Sequence, residues 1–324
     1  MRFRILLPAM AALAAIPCGV IVSSGAARAH DIGGAGRWTK AAPAPAPRSE
    51  VAVAEMAGRA YVIGDYNGAT GLLIHDPATG AWRTGAAFPT PIHHAMAAGF
   101  GNTLYVFGGY GPGWQASDRV WAYDPKADAW QPRAPMPTAR AAGGAAVIGE
   151  RIHVVGGSVS GGANTSGHAV YDPARDQWST AAPLPTRRDH LAVQAVDGQL
   201  LAIGGRVDGD PGRNLSVTER YDPVTDAWRT GAPMPTARSG SASAVLGGRV
   251  FVMGGESGTR TFGAVEAYDP ARDTWITHAP LPTPRHGFGA IVWDGRIHTL
   301  VGSPTPGGDR SGLVEVFDPA GADR

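Results

Sequence analysis

Residues 221–238 read YDPVTDAWRTGAPMPTAR, and this stretch decides the fold because the chain repeats its elements along almost its whole length. The Trp of the stretch has a counterpart every 44 to 50 residues. A period of this length is typical of architectures built from stacked repeats, in which each unit is one small sheet. The six repeated tryptophans are Trp38, Trp82, Trp130, Trp178, Trp228 and Trp275.

Three other elements accompany each Trp. A proline-rich turn follows it, and an apolar run that usually ends in two glycines comes next, as in Tyr105-Val-Phe-Gly-Gly109. An aromatic residue or His, followed by Asp-Pro, then precedes the next Trp. Asp-Pro pairs and double glycines both end a strand sharply, so each repeat predicts four short strands. The residues before Asp-Pro are His75, Tyr123, Tyr171, Tyr221, Tyr268 and Phe317.

The two ends of the repeat region predict a closed ring. Only five residues follow Asp318-Pro319, and no Trp is among them, whereas Arg37-Trp38-Thr39 is a Trp segment with no strands before it. A sheet of this size cannot bury both faces alone, and a ring leaves only short, protected edges. We therefore expect the N-terminal strand to complete the last sheet.

These signatures resemble the kelch-repeat family over about residues 38–318. The resemblance implies an all-β, six-bladed kelch β-propeller with four-stranded antiparallel blades, spanning residues 37–324 and closed by the N-terminal strand in the last blade. It also implies a binding face, located where the loop after the glycines and the start of the innermost strand meet the central channel.

Residues 1–29 are predicted to be a secretory signal peptide, which would make the protein secreted or periplasmic. Two arginines precede an apolar run from Ile5 to Val22, and the small-x-small pattern Ala27-Arg28-Ala29 follows. The alternative is a membrane anchor, but Pro8 and Pro17 interrupt the run. We expect no stable membrane insertion after cleavage.

Cleavage would leave a nearly neutral chain without cysteine. It removes three of the 28 Lys and Arg residues and none of the 27 acidic residues, so the net charge becomes −2. Such a balance provides no field for nucleic acid, which is excluded as a partner. The one cysteine, Cys18, leaves with the leader, so packing must stabilise the protein. Residues 30–36 are predicted to be a short spacer.

An arginine recurs at the start of the innermost strand in five of the six repeats. Ring closure would bring these residues around one axis, where they could bind a carboxylate or phosphate. The kelch resemblance also implies a structural alternative, in which each Arg binds loop carbonyl groups between blades. The five residues are Arg48, Arg140, Arg188, Arg238 and Arg285.

Positions that differ between repeats are better candidates for ligand contact, because a position required by the scaffold looks alike in every blade. Such positions follow the recurrent Arg and the glycines. Trp114 lies outside the Trp repeat and could stack on a sugar or peptide ring, or pack against a neighbouring loop. The candidates are Glu50, Tyr66, His93, His94, Tyr110, Trp114, Asp189, His190, Arg206, Glu256 and His286.

These residues favour a non-catalytic recognition module for a peptide, a protein or an acidic glycan. We predict a monomer without cofactor and without metal, although the histidines and carboxylates could form a metal site or an acid/base pair if they reach the channel. The alternative function is a secreted sugar isomerase. Secreted bacterial sialic acid mutarotases are similar to this chain in leader, blade number and arginine-rich face, at the level of the fold alone.

Overall fold

The computed structural model describes residues 36–319. The predicted signal peptide, and all of the predicted spacer except Gly36, lie outside the described residues. Within residues 36–319 no helix is long and apolar enough to cross a membrane. One 3₁₀ turn, Pro112–Trp114, lies among the strands.

Six antiparallel four-stranded sheets form the blades of a propeller. Blade 1 contains β2 (Ala52–Met56), β3 (Arg59–Ile63), β4 (Leu72–Asp76) and β5 (Ala81–Gly85). Blade 2 contains β6 (Met96–Phe100), β7 (Thr103–Phe107), β8 (Val120–Asp124) and β9 (Ala129–Arg133). Blade 3 contains β10 (Gly144–Ile148), β11 (Arg151–Val155), β12 (His168–Asp172) and β13 (Gln177–Thr180). Blade 4 contains β14 (Ala192–Val196), β15 (Gln199–Ile203), β18 (Thr218–Asp222) and β19 (Ala227–Gly231). Blade 5 contains β20 (Ala242–Leu246), β21 (Arg249–Met253), β22 (Val265–Asp269) and β23 (Thr274–Thr277). Blade 6 contains β24 (Gly289–Trp293), β25 (Arg296–Gly302), β26 (Ser311–Asp318) and β1 (Arg37–Lys40).

The predicted fold and its closure are confirmed. β1 pairs with β26 in the order β1-β26-β25-β24, and Trp38 lies opposite Phe317. The N-terminal strand therefore completes blade 6. A small extra hairpin, β16 (Arg206–Val207) with β17 (Asp210–Asn214), extends from blade 4.

The repeated Trp and Asp residues connect neighbouring blades. Trp130 donates its indole N–H to the Ala86 carbonyl of the preceding blade at 3.0 Å. Asp128 accepts from the Ala86 N–H and from the Tyr123 hydroxyl, at 2.7 and 2.5 Å. This Trp–Tyr–Asp contact recurs in blades 3, 4 and 5, and it pairs the Trp N–H and the Tyr hydroxyl while the rings bury apolar surface.

The innermost strands surround a central channel. β2, β6, β10, β14, β20 and β24 each contact the next strand around the ring. Their channel-facing cavity has a volume of about 340 Å³, and most of its lining side chains are small or apolar. Glu55, Gln194 and Ser243 are its polar members. The end of the channel where these strands begin is called the strand-start face below.

Candidate functional site

Six residues form a ring at the strand-start face, one from each blade, and all six have a left-handed backbone. Their φ angles lie between 52° and 64°. In five steps around the ring, the N–H of one member donates to the carbonyl of the member in the preceding blade, at 2.7 to 3.0 Å. The members are Glu50, His94, Ala142, His190, Gly240 and Gly287.

The left-handed backbone directs the Cβ position of these residues toward the neighbouring side chains. A Cβ built on Gly287 would lie 2.8 Å from the Glu50 carboxyl carbon. Glycine adopts this conformation without cost, whereas Glu50, His94 and His190 hold it against a steric penalty. Such strained positions concentrate at functional sites. The ring therefore marks these three residues as candidates for a functional role.

Backbone pairing positions a second group of candidates beside the ring. His93 and Tyr110 exchange two backbone hydrogen bonds at 3.1 and 2.8 Å. Asp189 and Arg206 form the equivalent pair in blade 4. In each case the residue after the glycines lies opposite the residue that follows the recurrent-Arg position. The two sets of variable sequence positions therefore meet at one place.

Glu50 lies at the centre of a buried polar network. Its Oε2 is 3.0 Å from His94 Nε2, and its Oε1 is 3.0 Å from His286 Nδ1. Burial alone would raise the pKa of the Glu50 carboxyl, but the His94 and His286 rings outweigh it and hold that pKa well below its usual value. Glu50 is therefore ionised at neutral pH.

His286 lies between two carboxylates. Its Nε2 is 3.5 Å from Glu256 Oε2 and 3.0 Å from the Thr305 carbonyl oxygen. Burial opposes the charged form, yet Glu50 and Glu256 together raise the pKa of His286 above its ordinary value. Nε2 has hydrogen-bond geometry toward Thr305, whereas Nδ1 is close to Glu50 Oε1 without that geometry, so the two nearby carboxylate charges are what favour the imidazolium form.

Arg206 joins Glu256 to the residues of blade 4. Its Nη1 donates to Glu256 Oε1 at 2.8 Å, and its Nε donates to Asp189 Oδ1 at 3.1 Å. Its Nη2 lies 3.0 Å from His190 Nε2. Arginine only donates, so His190 Nε2 carries a lone pair and His190 Nδ1 donates to Asp189 Oδ1 at 2.5 Å. Burial and the Arg206 charge lower the pKa of His190, which fits this neutral tautomer.

His93 extends the network in blade 2. Its Nδ1 lies 2.5 Å from His94 Nδ1. Burial, with the neighbouring His94 ring, lowers the pKa of His93 to about 4, so its ring is neutral near pH 7. The same ring contacts Trp114 at a centroid distance of 4.7 Å.

Trp114 covers this part of the face together with two tyrosines. Its ring lies 5.1 Å from the Tyr110 ring and 5.9 Å from the Tyr66 ring. Trp114 nevertheless remains 51% exposed, although most aromatic residues of the described chain are buried or partly buried. Packing on a neighbouring loop and stacking on a ligand are therefore compatible for Trp114, because it contacts these rings and about half of it is still exposed.

The recurrent arginines occupy a different place. Arg188 donates to Glu219 and to the Ala202 carbonyl oxygen, and both side chains of the ion pair are buried. Arg140 donates to the Gly167 carbonyl oxygen at 2.7 Å, and its burial lowers its pKa to about 10. The arginines are therefore structural, as the alternative expected, but their side chains bind groups within their own blade and not between blades. The five arginines are buried at their blades and not gathered with the polar network: Arg48, Arg140, Arg188, Arg238 and Arg285.

Sequence reasoning missed Asn164 and Arg310. Asn164 donates to Asp189 Oδ2 at 2.5 Å and accepts from the Asp208 N–H. Arg310 Nη1 donates to Asp65 Oδ2 at 3.2 Å. Asn164 lies in the long loop of blade 3, and the length of that loop is visible in the sequence. Arg310 approaches Asp65 from the far end of the chain only because the ring closes.

Comparisons with known proteins agree with this architecture. A family profile described as the KLHDC2/KLHL20/DRC7 Kelch-repeats domain matches residues 50–233 and 145–320. The chain belongs to the kelch-repeat family. The solved structure titled "Structure of YjhT" is similar, with a TM-score of 0.75 and 19% sequence identity over 85% of this chain and 95% of that chain. At this identity the likeness concerns the fold. Among the curated proteins the sequence has no significant match.

Proposed function

We propose that this kelch propeller is a recognition module that binds a glycan at its strand-start face. One observation carries the proposal: Trp114 is 51% exposed and lies beside both the aromatic residues and the charged network. An exposed aromatic ring gives a sugar ring an apolar surface to stack on. Charged side chains at the edge of that surface form strong hydrogen bonds with hydroxyl groups.

The charges at this face favour a neutral glycan over an acidic one. Arg206 is already paired with Asp189 and Glu256, and Arg310 is paired with Asp65. The recurrent arginines, which suggested an acidic ligand, are buried within their blades. No surplus positive charge therefore remains among these residues to offset an acidic sugar.

A glycan panel tests this proposal. Neutral sugars, acidic sugars and peptides would each be titrated calorimetrically into wild-type protein and into Trp114→Ala. We expect binding of a neutral glycan that weakens about tenfold in Trp114→Ala, the size of one aromatic stacking contact. Val224→Ala is the matched control, because Val224 is 91% exposed in the turn between β18 and β19, at the other end of the blade. Binding of peptides alone, or equal affinity in Trp114→Ala, would refute the proposal.

The polar network supports a second candidate function, acid/base isomerisation of a sugar ring. Two carboxylates flank His286: its ring lies 3.0 Å from the Glu50 carboxylate and 3.5 Å from the Glu256 carboxylate. Such a set can donate and accept protons. Exchange NMR between sugar anomers would measure this activity. An acceleration over the uncatalysed rate that disappears in Glu256→Gln would favour it, and the uncatalysed rate in wild-type protein would refute it.

A further inference from the structure

Three ring members from three blades bring potential metal ligands together. Glu50, His94 and His190 each offer one atom, and these atoms all lie within 4.8 Å of one another. Among these atoms, His94 Nε2 and Glu50 Oε2 are 3.0 Å apart. Neighbouring donors of a tetrahedral zinc ion are about 3.3 Å apart, given bond lengths near 2.0 Å. Small movements of these side chains would therefore complete a three-ligand set.

Each of the three groups has an outer partner that orients it. Asp189 holds His190 at Nδ1, and His93 faces His94 at Nδ1. His286 lies against the outer carboxylate oxygen of Glu50, Oε1. Metal-binding histidines characteristically donate their second ring N–H to a carboxylate or another acceptor, which fixes the tautomer. The atoms left on the inner side are His94 Nε2, His190 Nε2 and Glu50 Oε2.

The backbone also holds these side chains over the channel axis. All three residues have φ between 52° and 53°, a conformation that costs free energy for any residue except glycine. The other three members of the ring are Ala142, Gly240 and Gly287, which have a methyl group or no side chain and so leave room at the axis. Within the ring, the bulky residues with left-handed backbone therefore occur only in blades 1, 2 and 4, which supply the three groups.

We propose that Glu50, His94 and His190 bind a divalent transition-metal ion, for which Zn²⁺ is the best probe. Two imidazoles and one carboxylate suit zinc and leave a fourth position open to water or a ligand. This inference departs from the sequence-based prediction of a metal-free protein. It is independent of the glycan proposal, because metal binding needs no sugar.

Arg206 is the built-in competitor at this site. Its Nη2 lies 3.0 Å from His190 Nε2, the atom that would bind the metal. The guanidinium must release that contact, while its bonds to Asp189 and Glu256 keep it nearby. Removing this positive charge should therefore tighten metal binding, since a cation repels the ion and occupies the lone pair of its ligand.

The test is a titration of the purified, chelator-treated protein with Zn²⁺, and with Co²⁺ to record the visible spectrum of a four-coordinate site. We expect one ion per chain, with affinity reduced at least 100-fold in His94→Gln and in His190→Gln. Asp189→Asn should weaken binding 10- to 100-fold as an outer partner. The control is His153→Gln. His153 and His168 form a buried pair away from this site, so replacing His153 should leave the affinity for Zn²⁺ unchanged.

Arg206→Met separates metal binding from unfolding. A misfolded variant loses affinity, whereas the proposal expects Arg206→Met to bind Zn²⁺ about tenfold more tightly than wild-type protein. Thermal melts of every variant without metal establish that the fold persists. Absence of stoichiometric binding by wild-type protein at micromolar Zn²⁺, or unchanged affinity in both His94→Gln and His190→Gln, would overturn the proposal.

Discussion

Arg188 donates to Glu219 Oε2 at 2.5 Å inside blade 4, and both side chains are buried. Blades 5 and 6 repeat the arrangement with Arg238 and Glu266, and with Arg285 and Glu315. Each arginine also donates to the carbonyl oxygen of the Thr two positions before it. In these three blades the recurrent Arg therefore connects the start of the innermost strand to the third strand of its own blade.

The first prediction concerns this ion pair. Arg188→Ala leaves the Glu219 charge buried without its partner, so we expect a loss of about 3–5 kcal/mol in the free energy of unfolding. Arg187→Ala is the matched control, because Arg187 is adjacent and exposed. Urea unfolding of both variants measures the difference. Equal stability of the two variants would contradict a structural role for Arg188.

The second prediction concerns blade 1, where the Trp–Tyr–Asp contact is incomplete. His75 and Gly80 occupy the Tyr and Asp positions, and Trp82 Nε1 is buried without a hydrogen-bond partner in the described part of the chain. A Cβ on Gly80 would meet no atom within 4 Å, and the left-handed backbone at Gly80, with φ of 73°, is also adopted by the Asp at this position in blades 2 to 5, such as Asp128 with φ of 49°. The double variant His75→Tyr, Gly80→Asp should restore the Tyr–Asp hydrogen bond and add about 1 kcal/mol of stability.

Thermal melts would measure this gain, with each single variant as a control. The hydroxyl and the carboxylate act together, so neither substitution alone should reproduce the effect. A double variant that melts at or below the temperature of wild-type protein would show that the repeat contact does not transfer to blade 1.

The fold could be predicted because its determinants are local and repeated. Trp228 and Tyr221 have counterparts in most other blades, and the unmatched ends around Trp38 and Phe317 specify how the ring closes. The recurrent Arg also obeyed the rule that a scaffold position looks alike in every blade. Its burial follows from a partner such as Glu219, which lies 31 residues away. This Glu recurs two positions before the aromatic residue of the Asp-Pro turn in blades 4, 5 and 6, but nothing in the sequence pairs it with the Arg.

The candidate site was predictable in its members but not in its geometry. Variation between blades identified Glu50, His94 and His190, yet their convergence depends on left-handed backbone angles at three equivalent positions. No sequence pattern reports such angles for Glu or His. The contact between Arg206 and His190 depends likewise on loop geometry. Long-range packing, and not local propensity, decides these contacts.

The third prediction is a pH dependence from the pair His153 and His168. His153 Nδ1 lies 2.8 Å from His168 Nε2, and burial lowers the pKa of both rings to about 4. The unfolded chain has an ordinary histidine pKa of about 6.5 and binds more protons than the folded state between these values. The contribution of the pair to stability is therefore present above pH 6.5 and is lost as the pH falls toward 4.

Urea unfolding at several pH values between 4 and 7.5 would measure this effect. Other groups titrate in the same range, so the quantity to compare is the slope of stability against pH in wild-type protein and in His153→Gln. The Gln side chain retains a donor for His168 without titrating. We expect a shallower slope in the variant, and identical slopes would contradict the assignment.

The last prediction uses Ala142, the one ring member that is neither polar nor glycine. Ala142 has φ of 54°, and its N–H and carbonyl join the ring bonds to His94 and His190 at 2.8 and 2.7 Å. Ala142→Gly keeps both bonds and removes the left-handed strain, which should raise stability by about 0.5–1 kcal/mol after the flexibility of glycine in the unfolded chain is subtracted. Ala141→Gly is the control: Ala141 is fully buried and outside the left-handed region, so its loss should destabilise the protein. Thermal melts that rank Ala142→Gly above wild-type protein and Ala141→Gly below it would establish that the ring stores strain, whereas a destabilised Ala142→Gly would mean that its methyl packing outweighs that strain.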